Sequence, residues 1–160
     1  MTNACIPRSR ADLLSDVTTV DPEHNSALQP RDITGDGIKE TFCNVFVRTV
    51  LALGGIDIPA MLANKLFEWF PGPEATALGW RKVTPAEAIA RAELGFRTVG
   101  VWRNPRGHGH IVLVVPAIDS TTGFPAKGMH SAQAGSRNWN NEPIERAGLL
   151  SAAYSFFTYD

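Results

Sequence analysis

Thr98-Val99-Gly100-Val101-Trp102-Arg103-Asn104-Pro105-Arg106-Gly107-His108-Gly109-His110-Ile111-Val112-Leu113-Val114-Val115 sets two β-branched runs on either side of a Pro/Gly turn. Alternating and β-branched side chains favour a pleated, packed surface, and Asn-Pro-Arg-Gly supplies the reversal, so the stretch predicts a hairpin of strands Thr98–Trp102 and His110–Val115. The second run is apolar almost throughout, which is the pattern of a strand buried on both faces.

Upstream the period changes to helical. Thr84-Pro85-Ala86-Glu87 reads as a capping box, with the hydroxyl at the N-cap, Pro in the first turn and Glu placed to return the bond; it predicts a helix over 85–94 closed by Gly95. A helix over 59–70 runs from Pro59 to the stop Pro71-Gly72-Pro73, with Met61, Leu62, Leu66 and Trp69 as its apolar positions. Before it, 40–53 places Phe42, Val45, Phe46, Thr49, Val50 and Leu53 on one broad face, and Gly54-Gly55 offers a left-handed stop. Residues 21–37 are loop in character and end in Gly35-Asp36-Gly37, while 7–20 suggests a first helix, opened by Pro7 or the Ser9 region.

Downstream, 128–134 and 153–159 are further strand candidates. The order is helices first and antiparallel sheet second, which makes the expected fold α+β, with N-terminal helices packed on a small antiparallel sheet. A chain of 160 residues with 44% hydrophobic content supports a single core, and halves would bury too little surface. One domain spanning 1–160 is therefore expected, with 1–35 as a helix-and-loop cover over a core at 36–160.

A net charge of −1 and a pI near 6.4 disfavour a nucleic-acid partner, because binding a phosphate backbone means neutralising many charges at once. No stretch approaches the ~20 apolar residues of a membrane span, and the first residues lack an apolar run of signal-peptide length. The expectation is a soluble monomer, made in the cytoplasm, with no membrane partner. Two cysteines, Cys5 and Cys43, are too few for a disulfide framework and are expected as free thiols.

Cys43 falls in the first turn of the 40–53 helix, where unpaired backbone N–H groups and the helix dipole favour a thiolate. On its own it is as well explained as a small core residue. A partner would be a histidine on the sheet, and His108 and His110 both stand at the start of the second hairpin strand; either is placed to act as general base. His108 lies between glycines in the turn, whereas His110 opens the strand with its backbone held, which favours His110. As alternate residues on a strand the pair also suits zinc, with His130 or Asp119 as a third ligand. Asp32, Thr34 and Asp36 open like a calcium loop, but Cys43 stands where the closing acid belongs, so a cation there would need Glu40 or a carbonyl. Trp69, Phe70 and Trp80 are candidates for a substrate groove wall, though aromatics at this spacing are more often core.

The segment Thr41-Phe42-Cys43-Asn44-Val45-Phe46-Val47 resembles the cysteine helix of the NlpC/P60 and CHAP families of papain-like cell-wall hydrolases. Gly109-His110-Ile111-Val112-Leu113-Val114 resembles their Gly-His-hydrophobic strand, and Ala132-Gln133-Ala134-Gly135 resembles a strand of phage-associated relatives. The likeness runs from about Asp36 to the C-terminus, and the plan is also similar to small amidase effectors of type VI secretion. It implies a papain-like fold and a Cys-His hydrolase, without a resident cofactor, that cuts an amide bond of bacterial peptidoglycan, as endopeptidase or N-acetylmuramoyl-L-alanine amidase. A phage endolysin fits the absent signal peptide, with release to the wall by lysis or by a secretion apparatus. The third polar residue of such families is His, Asn, Glu or Asp; here the matching strand has Gln133, with Ser131 on its face and Asn138 close behind. Any of the three is placed to orient the imidazole, Gln133 first among them.

In this reading His110 takes the proton of Cys43, the thiolate attacks a stem-peptide carbonyl, and water resolves the acyl-enzyme. The backbone N–H of Cys43 and the Asn44 side chain, or the preceding loop, would hold the oxyanion; His108, Trp69 and Trp80 would contact substrate. Two other classes compete: an inactive wall-binding or phage structural module, and a metal-dependent hydrolase built on His108 and His110.

Overall fold

A computed structural model describes residues 9–148 and 153–160. The hairpin forms as its two apolar runs require: β2 (Thr98–Trp102) pairs antiparallel with β3 (His110–Val115), and Trp102 stands opposite His110. Both strands are buried on both faces apart from Trp102 and His110 at the turn end. On one side of the pair, β4 (His130–Ala134) joins β3 and β5 (Asn138–Pro143) joins β4. On the other side lie β6 (Ser155–Tyr159) and, beyond it, β1 (Trp80–Val83). Among the described residues these six strands form one antiparallel sheet in the order β1-β6-β2-β3-β4-β5.

Five α-helices accompany the sheet among the described residues: α1 (Arg10–Val20), α2 (Cys43–Leu53), α3 (Ala63–Trp69), α4 (Pro73–Leu78) and α5 (Pro85–Glu93). α2 packs on β3 and β4, α3 on β2 and β3, and α5 on β2, β3 and β6, while α1 lies against α2 and α5. The α+β class is therefore as the sequence indicates, but the order is not helices first and sheet second. β1 lies between α4 and α5, and local sequence carries no sign of it because a four-residue strand is too short to show a period. β5, rich in Asn and Glu, is hidden because edge strands need little apolar character.

Several boundaries differ for physical reasons. α2 begins at Cys43 and not at residue 40, since Glu40 bridges to Arg31 in an extended pairing that closes the preceding loop. Its buried stripe is Cys43, Phe46, Val47, Val50 and Leu51, the i, i+3, i+4, i+7, i+8 series, whereas Val45, Thr49 and Leu53 face outward. α3 starts only at Ala63; Pro59 does not open it, and Met61 and Leu62 are exposed. Pro73 sits at the first position of α4, so the Pro-Gly-Pro stop is also a start. The cap of α5 is half of the expected box: Thr84 accepts from the Glu87 amide, but the Glu87 carboxylate goes to Arg81. Gly55, not Gly54, takes the left-handed conformation after α2. The opening of the first helix at Pro7 and the state of Cys5 fall outside the described residues; Ser9 is the N-cap of α1.

The buried residues form one cluster that runs from α1 through α2 to both ends of the sheet. Phe70 stacks on Phe157 with centroids 5.2 Å apart and meets Trp80 edge-on at 4.9 Å. Trp80, at 1% exposure, and Trp69, at 8%, are thus core. Neither forms a groove wall, which corrects their assignment to substrate. Under the cover, Arg97 is buried and paired with Asp16 of α1, and its Nη1 donates to the Gly95 carbonyl at 2.9 Å. The segment after α1 is stitched to edge strand β5: Asn138 donates to the carbonyls of Pro22 and Leu28, both at 2.9 Å, and Asn140 to Asp21 at 2.8 Å.

Gly95 closes α5 with φ +85°, and a Cβ there would lie 2.2 Å from the Ser9 backbone. Gly95→Ala combines left-handed strain with overlap against backbone that cannot rotate away. It is expected to lower the unfolding free energy by about 3 kcal/mol, read as a shift of the urea midpoint at unchanged slope.

Candidate functional site

Two strands and one helix start converge at the turn end of the β2–β3 hairpin. Cys43 is the first residue of α2, and its thiol, 6% exposed, is faced by the backbone amides of Ile111, Asn44 and Cys43 itself. Ile111 directly follows His110, so the amide that faces the sulfur is one peptide bond from the residue that carries the imidazole. Burial pushes the Cys43 thiol above its ordinary pKa, and those three amides pull it back only in part. The thiol makes no direct hydrogen bond to His110 among the described contacts.

His110 is half-buried at the start of β3, and its Nε2 lies 2.9 Å from Gln133 Oε1. Gln133, on β4 and 2% exposed, gives its own amide nitrogen to the Arg137 carbonyl at 2.8 Å. A carbonyl can only accept, so the NH₂ of Gln133 must face Arg137 and its oxygen must face the ring. The oxygen in turn can only accept, which makes Nε2 the protonated nitrogen. Nδ1 is left with a lone pair, as a general base requires. Burial lowers the His110 pKa below its ordinary value, and the Gln133 bond offsets part of that drop.

The other two orienting candidates are engaged elsewhere. Ser131 Oγ accepts from the Trp139 indole at 3.3 Å, and the Asn138 amide nitrogen donates to the cover segment, while its buried oxygen has no partner among the described residues. Gly135 fits against the imidazole: a Cβ there would stand 3.0 Å from His110 Cε1 and 3.3 Å from Gln133 Nε2. The remaining sequence candidates are more peripheral. Asn44 donates to the Met61 carbonyl at 2.9 Å, which ties the α2–α3 connection to the helix start. His108 is exposed in the hairpin turn.

The zinc arrangement is not assembled. His130 is buried and bonded to Asn141 at 2.7 Å, and the Asp119 carboxylate caps its own turn at the amides of Thr121 and Thr122. Among the described residues, Asp32, Asp36 and Glu40 are the group of three whose ligand atoms approach within 4.8 Å. Asp32 accepts from the amides of Gly35 and Gly37, and Glu40 accepts from the Ile33 amide and the Thr34 hydroxyl. These oxygens hold the turn itself, as Asx-rich turns do.

Two residues of the site escape sequence reading. Asn64 of α3 clamps the hairpin turn, donating to the carbonyls of Asn104 (3.0 Å) and Gly107 (2.8 Å) and accepting from the Asn104 amide (2.9 Å). Nothing in a 40-residue separation announces that clamp. Tyr154 is buried just before β6, its hydroxyl lacks a partner among the described residues, and burial, with the negative charge of an ionised Cys43 as the lesser cause, raises its pKa.

No protein-family model matches the chain, and no curated protein registers as similar to it. Among the described residues, no helix is long and apolar enough to cross a membrane.

The series of side-chain bonds fixes a tautomer that can be measured. Long-range ¹H–¹⁵N correlation of ¹⁵N-histidine protein above the His110 pKa is expected to show protonated Nε2 and bare Nδ1. Gly135→Ala, by pressing on the ring, is expected to broaden or lose the Nε2–H signal while unfolding at nearly the wild-type temperature.

Proposed function

We propose that the chain is a papain-like cysteine hydrolase that cleaves an amide bond of bacterial peptidoglycan, with Cys43 as nucleophile, His110 as base and Gln133 as the residue that orients the base. The observation that supports it most is the bond series His110–Gln133–Arg137, which leaves Nδ1 basic at the start of β3, the strand against which the helix opened by Cys43 packs.

The resting pair is neutral by this chemistry. Burial disfavours both thiolate and imidazolium, so His110 accepts the proton as the sulfur attacks. The sulfur adds to the carbonyl carbon, the oxyanion collapses with loss of the amine, which takes the proton from His110, and water then resolves the thioester. The amides at the start of α2 suit the oxyanion. The substrate is a stem or cross-link peptide, or the lactyl amide of muramic acid, and an endolysin or a delivered amidase effector is the biological setting the reading favours.

One observation favours a second reading, an inactive wall-binding module: Cys43 is nearly enclosed and makes no hydrogen bond to the imidazole among the described residues. Turbidity loss of purified sacculi separates the two. Wild type should clear the suspension, while Cys43→Ala and His110→Ala should each lose at least about 10³-fold in rate. Full activity in Cys43→Ala, or sacculus binding without any release of amines by wild type, would sink the hydrolase.

The pH profile carries a sign. A base with a lowered pKa stays competent below the ordinary histidine value of 6.5, so the acid limb of kcat/KM should fall below pH 6.5. Gln133→Leu removes the bond that favours the imidazolium; its limb should move further toward acid while the plateau drops.

A further inference from the structure

Tyr154 combines three properties that a core tyrosine rarely holds together. It is 6% exposed, its hydroxyl has no hydrogen-bond partner among the described residues, and it stands at the sheet end that carries the candidate nucleophile. The register fixes that position: Ser155 pairs with Val101, and Val101 pairs with Ile111, whose amide faces the Cys43 sulfur. Tyr154 therefore begins two strands, roughly 10 Å, from β3, within the combined reach of its own ring and the Cys43 side chain. A buried hydroxyl left unpaired is costly, and such a cost is retained where a charge appears only during function.

We propose that the Tyr154 hydroxyl is the hydrogen-bond donor to the Cys43 thiolate, unpartnered while the sulfur is a neutral thiol and engaged once the proton leaves. The proposal rests on the reading of Cys43 as nucleophile and extends it to the group that offsets the burial of its charge. The phenol is well suited to donate, because burial and the Cys43 charge raise its own pKa and keep its proton in place at every working pH. The other ionisable groups around the helix start are His110 on β3, whose burial favours the uncharged ring, and, in the preceding loop, Arg31 and Glu40. Arg31 lies over the Phe42 ring at 4.4 Å, and Glu40 bonds the Ile33 amide and Thr34 hydroxyl. None of these gives the sulfur a hydrogen bond.

The test is the pH dependence of iodoacetamide alkylation of Cys43 in a Cys5→Ser background, compared with Tyr154→Phe. The thiol pKa is expected to rise by about one unit in Tyr154→Phe, so alkylation at pH 7.5 slows about tenfold. The melting temperature should stay level or rise, because the hydroxyl supports nothing in the resting fold. An unchanged alkylation profile overturns the proposal, and so does a variant that melts early or fails to fold, since the hydroxyl would then be structural. As a second readout, Cys43→Ala should lower the Tyr154 phenol pKa in ultraviolet titration, and an unmoved titration counts against it. No peptidoglycan enters these measurements, so failure of the wall-hydrolase reading shows separately, in the sacculus assay.

Discussion

The Gln133 side-chain amide is where β4, the turn after it and the His110 ring are tied together, and the candidate site has its geometry only because that amide has one permitted orientation. Its nitrogen is committed to the Arg137 carbonyl and its oxygen to the imidazole. Buried amides with both ends occupied do not rotate without stranding a donor, a loss of about 1–3 kcal/mol. The sheet contributes the rest: β3 and β4 are paired neighbours, so the two side chains cannot drift apart without breaking backbone bonds. Gly135 then leaves the ring the space it occupies. A hydrogen bond, a strand register and a missing Cβ act as one constraint.

Against that rigidity stands an electrostatic tension at Cys43. The helix start and the Ile111 amide favour a charge, and burial disfavours it. Burial prevails at rest, which keeps the sulfur protonated and protected from casual oxidation. The same enclosure strengthens every dipole that meets the charge once it forms. A partly exposed thiol at a looser helix start would be easier to ionise and harder to direct.

Much of this is legible in the sequence, and the division follows physical range. The hairpin, the α5 cap and Cys43 at a helix start are readable because β-branched runs, Thr-Pro-x-Glu and helical spacing act over a few neighbouring residues. The face of α2 is misjudged because Val45 and Leu53 are apolar yet exposed, and composition cannot say which apolar residue finds a neighbour. β1 and β5 are missed because their pairing partners, β6 and β4, supply the reason for their conformation. In the site, His110 can be preferred to His108 from backbone regularity alone. The choice of Gln133 over Ser131 and Asn138 needs the structure, since periodicity does not reveal that Ser131 meets the Trp139 indole, that the Asn138 amide nitrogen turns to the cover segment, or that Gln133 meets the ring. Asn64 and Tyr154 belong to the site through tertiary contact only, and Trp80, attractive as a surface aromatic, is enclosed by Phe70 and Tyr159.

The stitches between Asn138, Asn140 and the 21–28 segment shield one flank of the sheet. A flank strand offers unsatisfied amides and carbonyls to any other extended chain. Here that strand is screened by the chain's own early residues, while β1 at the opposite flank is short and carries Arg81 and Lys82. The protein thus guards its two borders by different means, one by a strap and one by brevity and charge. Shortening the chain from its front would therefore remove more than a cover: it would bare a template on which further copies could stack.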